Sequence, residues 1–224
     1  MTSARPTPRA ESRTRTGTKG VARADRERQI VRLAVEEFGT QGYARASVAA
    51  VAERAGISKP LIYTYFTSKD GLAAASAHYA GSLLVSEVEA AQTATTAKAR
   101  ALDTLAAIFS VLDHCRRAWS VVHDTTLPEG GAAYAAAARY RERLAEMGAV
   151  GTAEILRAAG DDDPLDHDLL SAVWQHAVTA IVQWWLDHPE QTAADMAARA
   201  ARMLHIILGP HSWPDRSFPV RATH

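Results

Sequence analysis

The sequence predicts an all-α protein. Alanine is abundant, Gly and Pro are sparse inside the long segments, and no alternating run of β-branched residues is present. Apolar residues instead recur at the 3.6-residue spacing of an amphipathic helix, and alanine has the highest helix propensity. With 224 residues, of which 47% are apolar and 22% charged, the chain is long enough for one large or two modest domains.

The composition argues against several classes of protein. No run of about 18 uncharged apolar residues is present, so we expect no membrane span. The first 26 residues lack an apolar stretch, which argues against a secretory signal. The single cysteine, Cys115, cannot build a disulfide framework and suits a reducing compartment. We therefore expect a cytoplasmic protein.

The charge is unevenly distributed although the net charge is zero. Residues 1–70 contain 13 Lys and Arg against 7 Asp and Glu, and residues 71–224 contain 12 against 18. A basic front half can meet a polyanion, whereas the acidic back half would be repelled by it. Such asymmetry can also arise by chance.

The basic segment carries the pattern of three short helices. The first begins near Arg23 and ends near Gly39. Ser47 is placed to cap the second, Ser58 caps the third, and Gly56 supplies a left-handed turn between them. Three helices with a short Gly-containing turn indicate a helix-turn-helix DNA-binding domain.

The third helix, within "ISKPLIYTYFTSKDGL", combines rings, hydroxyls and ammonium groups. On a helical wheel Ile62 and Phe66 share one side and anchor the helix. The opposite side is slim and mostly apolar, which suits contacts with base edges and thymine methyl groups in a major groove. That side carries Pro60, Leu61 and Thr64.

Polar groups lie on both flanks of this outward side of the third helix. Tyr63 and Tyr65 can reach phosphates on the two groove walls, and Lys59 and Lys69 add positive charge at two helix N-termini. Thr67 or Ser68 is expected to cap the helix that Lys69 begins. Each aromatic residue taken singly could instead belong to the core.

Longer helices fill the rest of the chain. They are predicted over about 69–92, 97–122, 131–159 and 165–187, and a last one opens with a Thr192/Asp195 capping box and closes at Gly209-Pro210.

The stretch "RQIVRLAVEEFGTQGYARASVAAVAERAGISKPLIYTYFTSKDGL" resembles the DNA-binding domain of the tetracycline-repressor (TetR) family. The first helix ends in Phe and Gly, an "A-x-x-A-G-[VI]-S" turn follows, and then a "[LI]-Y-x-[YH]-F-x-[SN]-K" segment. The matching residues are Phe38, Gly42, Tyr43, Ser47, Ala52, Ala55, Gly56, Ser58, Tyr63, Tyr65, Phe66 and Lys69.

The resemblance implies a homodimeric, ligand-responsive regulator, usually a repressor, that binds double-stranded operator DNA and is released when an effector shifts the fourth helix. By position, Ser47, Tyr63, Tyr65 and Lys69 resemble phosphate contacts. The residues at base-reading positions are Lys59, Pro60, Leu61 and Thr64. Many relatives carry Thr where this chain has Leu61, so specificity there should rest on a methyl contact.

The resemblance also places an effector cavity and a dimer interface in the back half. The aromatic and polar residues expected at the cavity suit a small hydrophobic or aromatic effector: Phe109, His114, Cys115, Trp119, His123, Tyr134 and Trp174. The apolar residues expected at the dimer interface are Val173, Ala177, Ala180, Trp184, Ala200, Leu204 and Ile207. Each stripe could instead be intrachain core.

Other functions are less well supported by the sequence. No motif of a hydrolase, a P-loop enzyme, a metalloprotease or a dinucleotide-binding enzyme is present, so we expect no enzyme. His114, Cys115 and His123 do not have the spacing of a closed metal site, and we expect no metal or cofactor. The alternative is a DNA-binding regulator without an effector, constitutive or activating.

The predicted organisation is a basic arm over 1–22, a helix-turn-helix domain over 23–70, a larger helical ligand-binding and dimerisation domain over 71–210, and an irregular tail over 211–224. The arm could add phosphate contacts, reach a minor groove, or only solubilise the chain.

Overall fold

The structure is a computed structural model that describes residues 23–208, with side chains to residue 206. Within that range the chain forms nine helices and no strand, which confirms the predicted all-α class. The predicted arm over 1–22, the Gly209-Pro210 helix end and the tail over 211–224 lie outside the described residues. The helices are α1 (Arg23–Arg45), α2 (Val48–Ala55), α3 (Lys59–Phe66), α4 (Lys69–Ala90), α5 (Ala97–His114), α6 (Ala118–Val122), α7 (Ala132–Ala158), α8 (Pro164–Leu186) and α9 (Ala193–Leu208).

The first three helices pack around a shared apolar core. Ile30 and Phe38 of α1, Val51 of α2 and Ile62 of α3 are all buried in it. Gly56 ends α2 in the left-handed conformation, with φ 65° and ψ 34°. This turn reverses the chain between α2 and α3, as the sequence predicts for a helix-turn-helix.

The predicted end of α1 near Gly39 is wrong. The helix continues for almost one more turn before Gly42 breaks it with φ 72° and ψ 157°, a conformation that glycine adopts without steric cost. Gly39 is instead a close-packing position, since a Cβ there would lie 2.4 Å from the Arg117 Cβ. The small residue lets α6 approach α1.

The single helix predicted over 97–122 is also wrong. Cys115 leaves the helical conformation with φ −138° and ψ 70°, so α5 ends at His114 and the short α6 begins at Ala118. The break turns α6 to pack against α1 and α4. It buries Trp119 and Val122, and this tertiary burial outweighs the local preference for one continuous helix.

Helix α4 connects the two parts of the molecule. It begins beside α3 with Ser68 as its N-cap and packs along α1, α5, α6 and α7. Gly81 lies against the ring of Tyr140, where a Cβ would come within 2.2 Å of a ring carbon. A displacement of α4 would therefore disturb both the helix-turn-helix domain and the helical bundle.

The last two helices cover different parts of the bundle. Helix α8 packs on α7, and α9 packs on α5. The predicted capping box at α9 is present, since Asp195 N–H donates to Thr192 Oγ1 (3.1 Å) and Thr192 N–H donates to an Asp195 carboxylate oxygen (3.1 Å). None of the helices within the described range is long and apolar enough to cross a membrane.

Candidate nucleic-acid interface and effector cavity

Helix α3 is anchored on one side and exposed on the other. Ile62 and Phe66 are buried against the domain core, where each such side chain stabilises the fold by about 2 kcal/mol. On the opposite side Pro60, Leu61 and Thr64 are exposed, and Leu61 retains 39% of its accessible surface. The Thr64 hydroxyl donates to the Pro60 carbonyl at 3.2 Å. Its hydrogen is thus satisfied inside the helix.

Three serine side chains cap helix N-termini around this strip. Ser47 Oγ accepts from Ala50 N–H in α2 (3.3 Å), Ser58 Oγ from Leu61 N–H in α3 (3.4 Å), and Ser68 Oγ from Gly71 N–H in α4 (2.9 Å). All three serines are exposed. The remaining free N–H groups at these termini favour an anion such as a phosphate oxygen.

Cations lie over three aromatic rings, two of them in α3 and one at the end of α1. The Lys69 Nζ lies 4.8 Å from the Tyr43 ring centre and 3.5 Å from the Ala44 carbonyl oxygen, so it is held beside the start of α2. Lys59 Nζ lies 5.9 Å from the Tyr63 ring, and the Arg23 guanidinium 5.2 Å from the Tyr65 ring. Burial and the charge of Asp70 raise the pKa of Tyr43, so its hydroxyl stays protonated.

Carboxylates join the helix-turn-helix domain to the bundle. Asp124, after α6, accepts from Tyr43 N–H at 2.5 Å, and Thr126 Oγ1 accepts from Ala44 N–H at 3.1 Å. Asp70, in the first turn of α4, accepts from Ala132 N–H (2.7 Å) and caps α7. Glycine at the N-cap of α7 offers no side chain for this purpose.

A cavity of about 200 Å³ lies between α4, α5, α6, α7 and α8. Its walls are largely apolar, and its polar groups come from α5, α6, α7 and α8. The lining residues include Val88, Ile108, Trp119, His123, Arg141, Leu144, Met147, Trp174 and Val178. Burial lowers the pKa of His123 to about 4, so its ring is neutral near pH 7.

The matched family model describes bacterial regulatory proteins of the tetR family and covers residues 30–76. That range begins inside α1, spans α2 and α3, and ends in α4. It therefore contains the exposed residues of α3 and the three serine caps. This match confirms that the segment predicted to be the DNA-binding domain resembles that of the tetR family. Because TetR-family proteins are DNA-binding regulators, the prediction that the chain is not an enzyme is confirmed as well.

Individual relatives differ in how much of the chain they cover. The HTH-type transcriptional activator FasR of Mycolicibacterium smegmatis (strain ATCC 700084 / mc(2)155) is 32% identical over 103 residues, which are 46% of this chain and 47% of FasR. The match thus spans about half the length of that relative.

Solved structures share this fold over most of the chain. FadR from Bacillus subtilis, in complex with stearoyl-CoA, has a TM-score of 0.63 at 18% identity and covers 81% of this chain and 97% of FadR. AibR, in complex with isovaleryl coenzyme A and operator DNA, has a TM-score of 0.66 at 16% identity, with 80% and 97% covered.

The structure separates the predicted cavity residues into two groups. Trp119, His123 and Trp174 line the cavity, and the other four do not. Phe109 packs edge-on against Trp185 in the core, with ring centres 5.4 Å apart. His114 and Cys115 lie at the end of α5, and Tyr134 is partly exposed beneath the Arg141 guanidinium.

The environment of Cys115 keeps it unreactive. Burial, reinforced by the nearby charge of Glu36, raises the pKa of the Cys115 thiol to about 11. The thiol is therefore protonated at neutral pH, and only a thiolate is a good nucleophile or metal ligand. Among the described residues, no group of three His, Cys, Asp or Glu side chains could hold a metal ion.

The predicted dimer residues also separate into two groups. Val173, Ala177, Ala180 and Trp184 form an exposed stripe along α8, with Trp184 stacked on His188 and 5.8 Å from the Arg199 guanidinium.

Two of the predicted interface residues on α9 are buried, unlike those on α8. Ala200 and Leu204 are buried on the side where α9 packs on α5, so they belong to the core of one chain, contrary to expectation. The Ile207 side chain lies outside the described ones. On α9, Met203 and Ile206 are exposed instead.

Sequence reasoning missed Arg141, Asp124 and Asp70. Arg141 lies on the helical face of α7 that also carries Ala137, Leu144 and Gly148, and a lone Arg on an otherwise apolar stripe is a signal that could have revealed it. Asp124 and Asp70 contact residues more than 60 positions away in the sequence. No local pattern marks such contacts.

Proposed function

We propose that this chain is a ligand-responsive transcriptional repressor that binds a pseudo-palindromic operator as a homodimer. A small hydrophobic or aromatic effector in the cavity releases it from DNA. The observation that carries the DNA-binding part is the orientation of α3, which buries Ile62 and Phe66 and exposes Pro60, Leu61 and Thr64. A DNA target also puts its site of action in the cytoplasm.

The contacts with DNA divide into two kinds. Pro60, Leu61 and the Thr64 methyl group contact base edges, and Lys59 lies at the first turn of the same helix. Tyr63 and Tyr65 reach phosphates on either side, and Ser47 and Lys69 do so at the N-termini of α2 and α4. The exposed serine caps and the position of the Lys69 ammonium beside α2 support this division.

The exposed stripe on α8 supports a homodimer. Val173 and Trp184 are large apolar residues that retain 55% and 41% of their surface, and Ala177 and Ala180 between them allow a second helix to approach closely. Met203 and Ile206 extend the exposed apolar surface onto α9. A two-fold dimer presents two copies of α3, which is why the operator is expected to be pseudo-palindromic.

Two routes can carry a change from the cavity to α3. One is α4, which lines the cavity with Val88 and starts at Lys69. The other route runs through the residues that follow α6. His123 lines the cavity, and the next residue, Asp124, accepts a hydrogen bond from the Tyr43 N–H. FadR and AibR were both solved with acyl coenzyme A molecules, which supports a regulator that responds to a small molecule.

A second candidate is an activator, favoured by the name of the relative FasR, a transcriptional activator. Repression and activation share the same DNA contacts, so a reporter assay separates them. With the operator in its native position relative to the promoter, deletion of the protein raises expression for a repressor and lowers it for an activator.

Selection of bound duplexes from a random pool tests the proposal, together with sedimentation of the free protein. We expect an enriched sequence with two inverted half-sites and a dimer in solution. Enrichment of no sequence, or of a single half-site by a monomer, would overturn it.

A further inference from the structure

The indole nitrogen of Trp119 is an unused donor in the cavity. Trp119 retains 7% of its surface, and its Nε1 is buried with no hydrogen-bond partner among the described residues. Leaving a buried donor unpaired costs about 1–3 kcal/mol, so such groups are normally satisfied. Because Trp119 lines the cavity, a rotation of its ring toward an occupant with an acceptor atom would satisfy this donor.

Arg141 brings a positive charge to the same cavity. Its Nη1 donates to the Val122 carbonyl at 2.7 Å, and the guanidinium lies 5.6 Å from the Tyr134 ring. In the described part of the chain it forms no ion pair with a carboxylate. A partly buried guanidinium that lacks a counter-ion favours an anionic ligand.

The other cavity residues leave this charge uncompensated. None of the described residues that line the cavity is Asp or Glu. His123 lies close enough to Arg141 that the guanidinium contributes to lowering its pKa. The neutral His123 ring donates from Nδ1 to the Trp119 carbonyl (3.2 Å) and stacks on the Trp119 indole, with ring centres 4.0 Å apart.

The remaining walls and the volume define the rest of the occupant. Val88, Ile108, Leu144, Met147 and Val178 supply an apolar surface. A cavity of about 150 Å³ can hold benzene, so the volume of about 200 Å³ suits one substituted ring or a short acyl chain.

We propose that the effector is a small carboxylic acid whose carboxylate accepts hydrogen bonds from Trp119 Nε1–H and the Arg141 guanidinium, with its apolar body against α4, α5 and α8. This assignment rests on the proposed ligand-responsive function. It makes Arg141 a specificity-determining residue, since its charge distinguishes an acid from its neutral amide, and Trp119 a residue that binds the acceptor oxygen of either.

The test measures binding to the full chain by isothermal titration calorimetry, with no DNA present. The probes are butyrate, hexanoate, benzoate and phenylacetate, each beside its primary amide, together with the coenzyme A thioesters of butyrate and hexanoate. We expect at least one acid to bind about tenfold tighter than its amide. If no acid binds better than its amide, or if the thioesters bind in preference to the free acids, the assignment is overturned.

Variants identify the residues responsible for this preference. Arg141→Gln keeps a donor for the Val122 carbonyl but removes the charge, and Trp119→Phe keeps a ring against His123 but removes the N–H. Arg141→Gln should bring the acid-to-amide ratio close to one while amide binding remains. Trp119→Phe should weaken the binding of acid and amide together, because both have an oxygen that accepts from the N–H. The control is Arg143→Gln. Arg143 lies on the surface of α7, whereas Arg141 lies on its inner side, and Arg143 pairs with Glu146 of α7 and with Glu89 of α4. A preference that survives Arg141→Gln, or acid binding that Trp119→Phe leaves unchanged, contradicts the assignment.

The result can be separated from a failure of the proposed function. If amides bind as well as acids and weaken DNA binding, ligand response stands and the carboxylate assignment falls. If an acid binds through Arg141 and DNA affinity stays the same, the cavity assignment stands and effector-driven release falls.

Discussion

The carboxylate of Asp124 accepts a hydrogen bond from the backbone N–H of Tyr43, with 2.5 Å between oxygen and nitrogen. Asp124 also accepts from the N–H and hydroxyl of Thr126, whose oxygen in turn accepts from Ala44 N–H. The loop after α6 thus holds the last residues of α1, which follow its break at Gly42. It directly follows the cavity residue His123, so the cavity and the DNA-binding domain share one short segment of chain.

Replacing Asp124 with Ala should destabilise the protein by about 2 kcal/mol, because it removes a charged acceptor of several hydrogen bonds. Urea unfolding measures the change. Asp113→Ala is the matched control, since Asp113 is exposed on α5. Equal stability of the two variants would show that the Asp124 contacts contribute nothing.

Lys69→Ala should lower the affinity for every DNA sequence and reduce the slope of log K against log salt by about 1, because one phosphate contact is lost. Fluorescence anisotropy at several salt concentrations gives the slope. Lys98→Ala, at an exposed position at the start of α5, should leave it unchanged. An unaltered slope for Lys69→Ala would remove Lys69 from the phosphate contacts.

Tyr63→Phe should weaken binding by about 1 kcal/mol on every sequence, because a hydroxyl contact to phosphate carries no sequence information. Affinities for the selected operator and for an unrelated duplex measure it. If affinity is unchanged on both, the Tyr63 hydroxyl makes no such contact.

Val173→Glu should convert the homodimer to a monomer, because it places a charge within the apolar α8 stripe. Sedimentation equilibrium reads the mass. Val150→Glu makes the same chemical change at an exposed position on α7 and should remain dimeric. A dimeric Val173→Glu would show that α8 is not the interface.

The buried His123 should make stability depend on pH. Its pKa is about 4 in the folded chain and about 6.5 when unfolded, so the unfolded state binds more protons between those values. Stability is therefore full above about pH 6.5 and falls as the pH drops toward 4, by about 3 kcal/mol in all. His123→Phe should reduce the fall measured by urea unfolding between pH 7 and 5.5. An identical fall in both proteins would contradict the burial of a neutral ring.

The helix-turn-helix domain could be predicted because its determinants are local. Ser47, Ser58 and Ser68 lie within three residues of the N–H groups they cap, and Gly56 is the left-handed residue of its own turn. Ile62 and Phe66 follow from helical periodicity alone.

The bundle was less predictable because its determinants are tertiary. The chain breaks at Cys115 so that Trp119 can be buried against helices distant in sequence. The stripe that carries Ala200 and Leu204 has the composition of either a core or an interface. Only its packing on α5 decides between them.

Whether α3 presents Leu61 to DNA bases can be measured directly. Duplexes are selected from a random pool with the wild-type protein and with Leu61→Ala, and the enriched sequences are compared. We expect the variant to lose preference at one base step in each half-site, by about 1 kcal/mol, with the rest of the site retained. Identical base preferences at every position would show that Leu61 does not contact the bases.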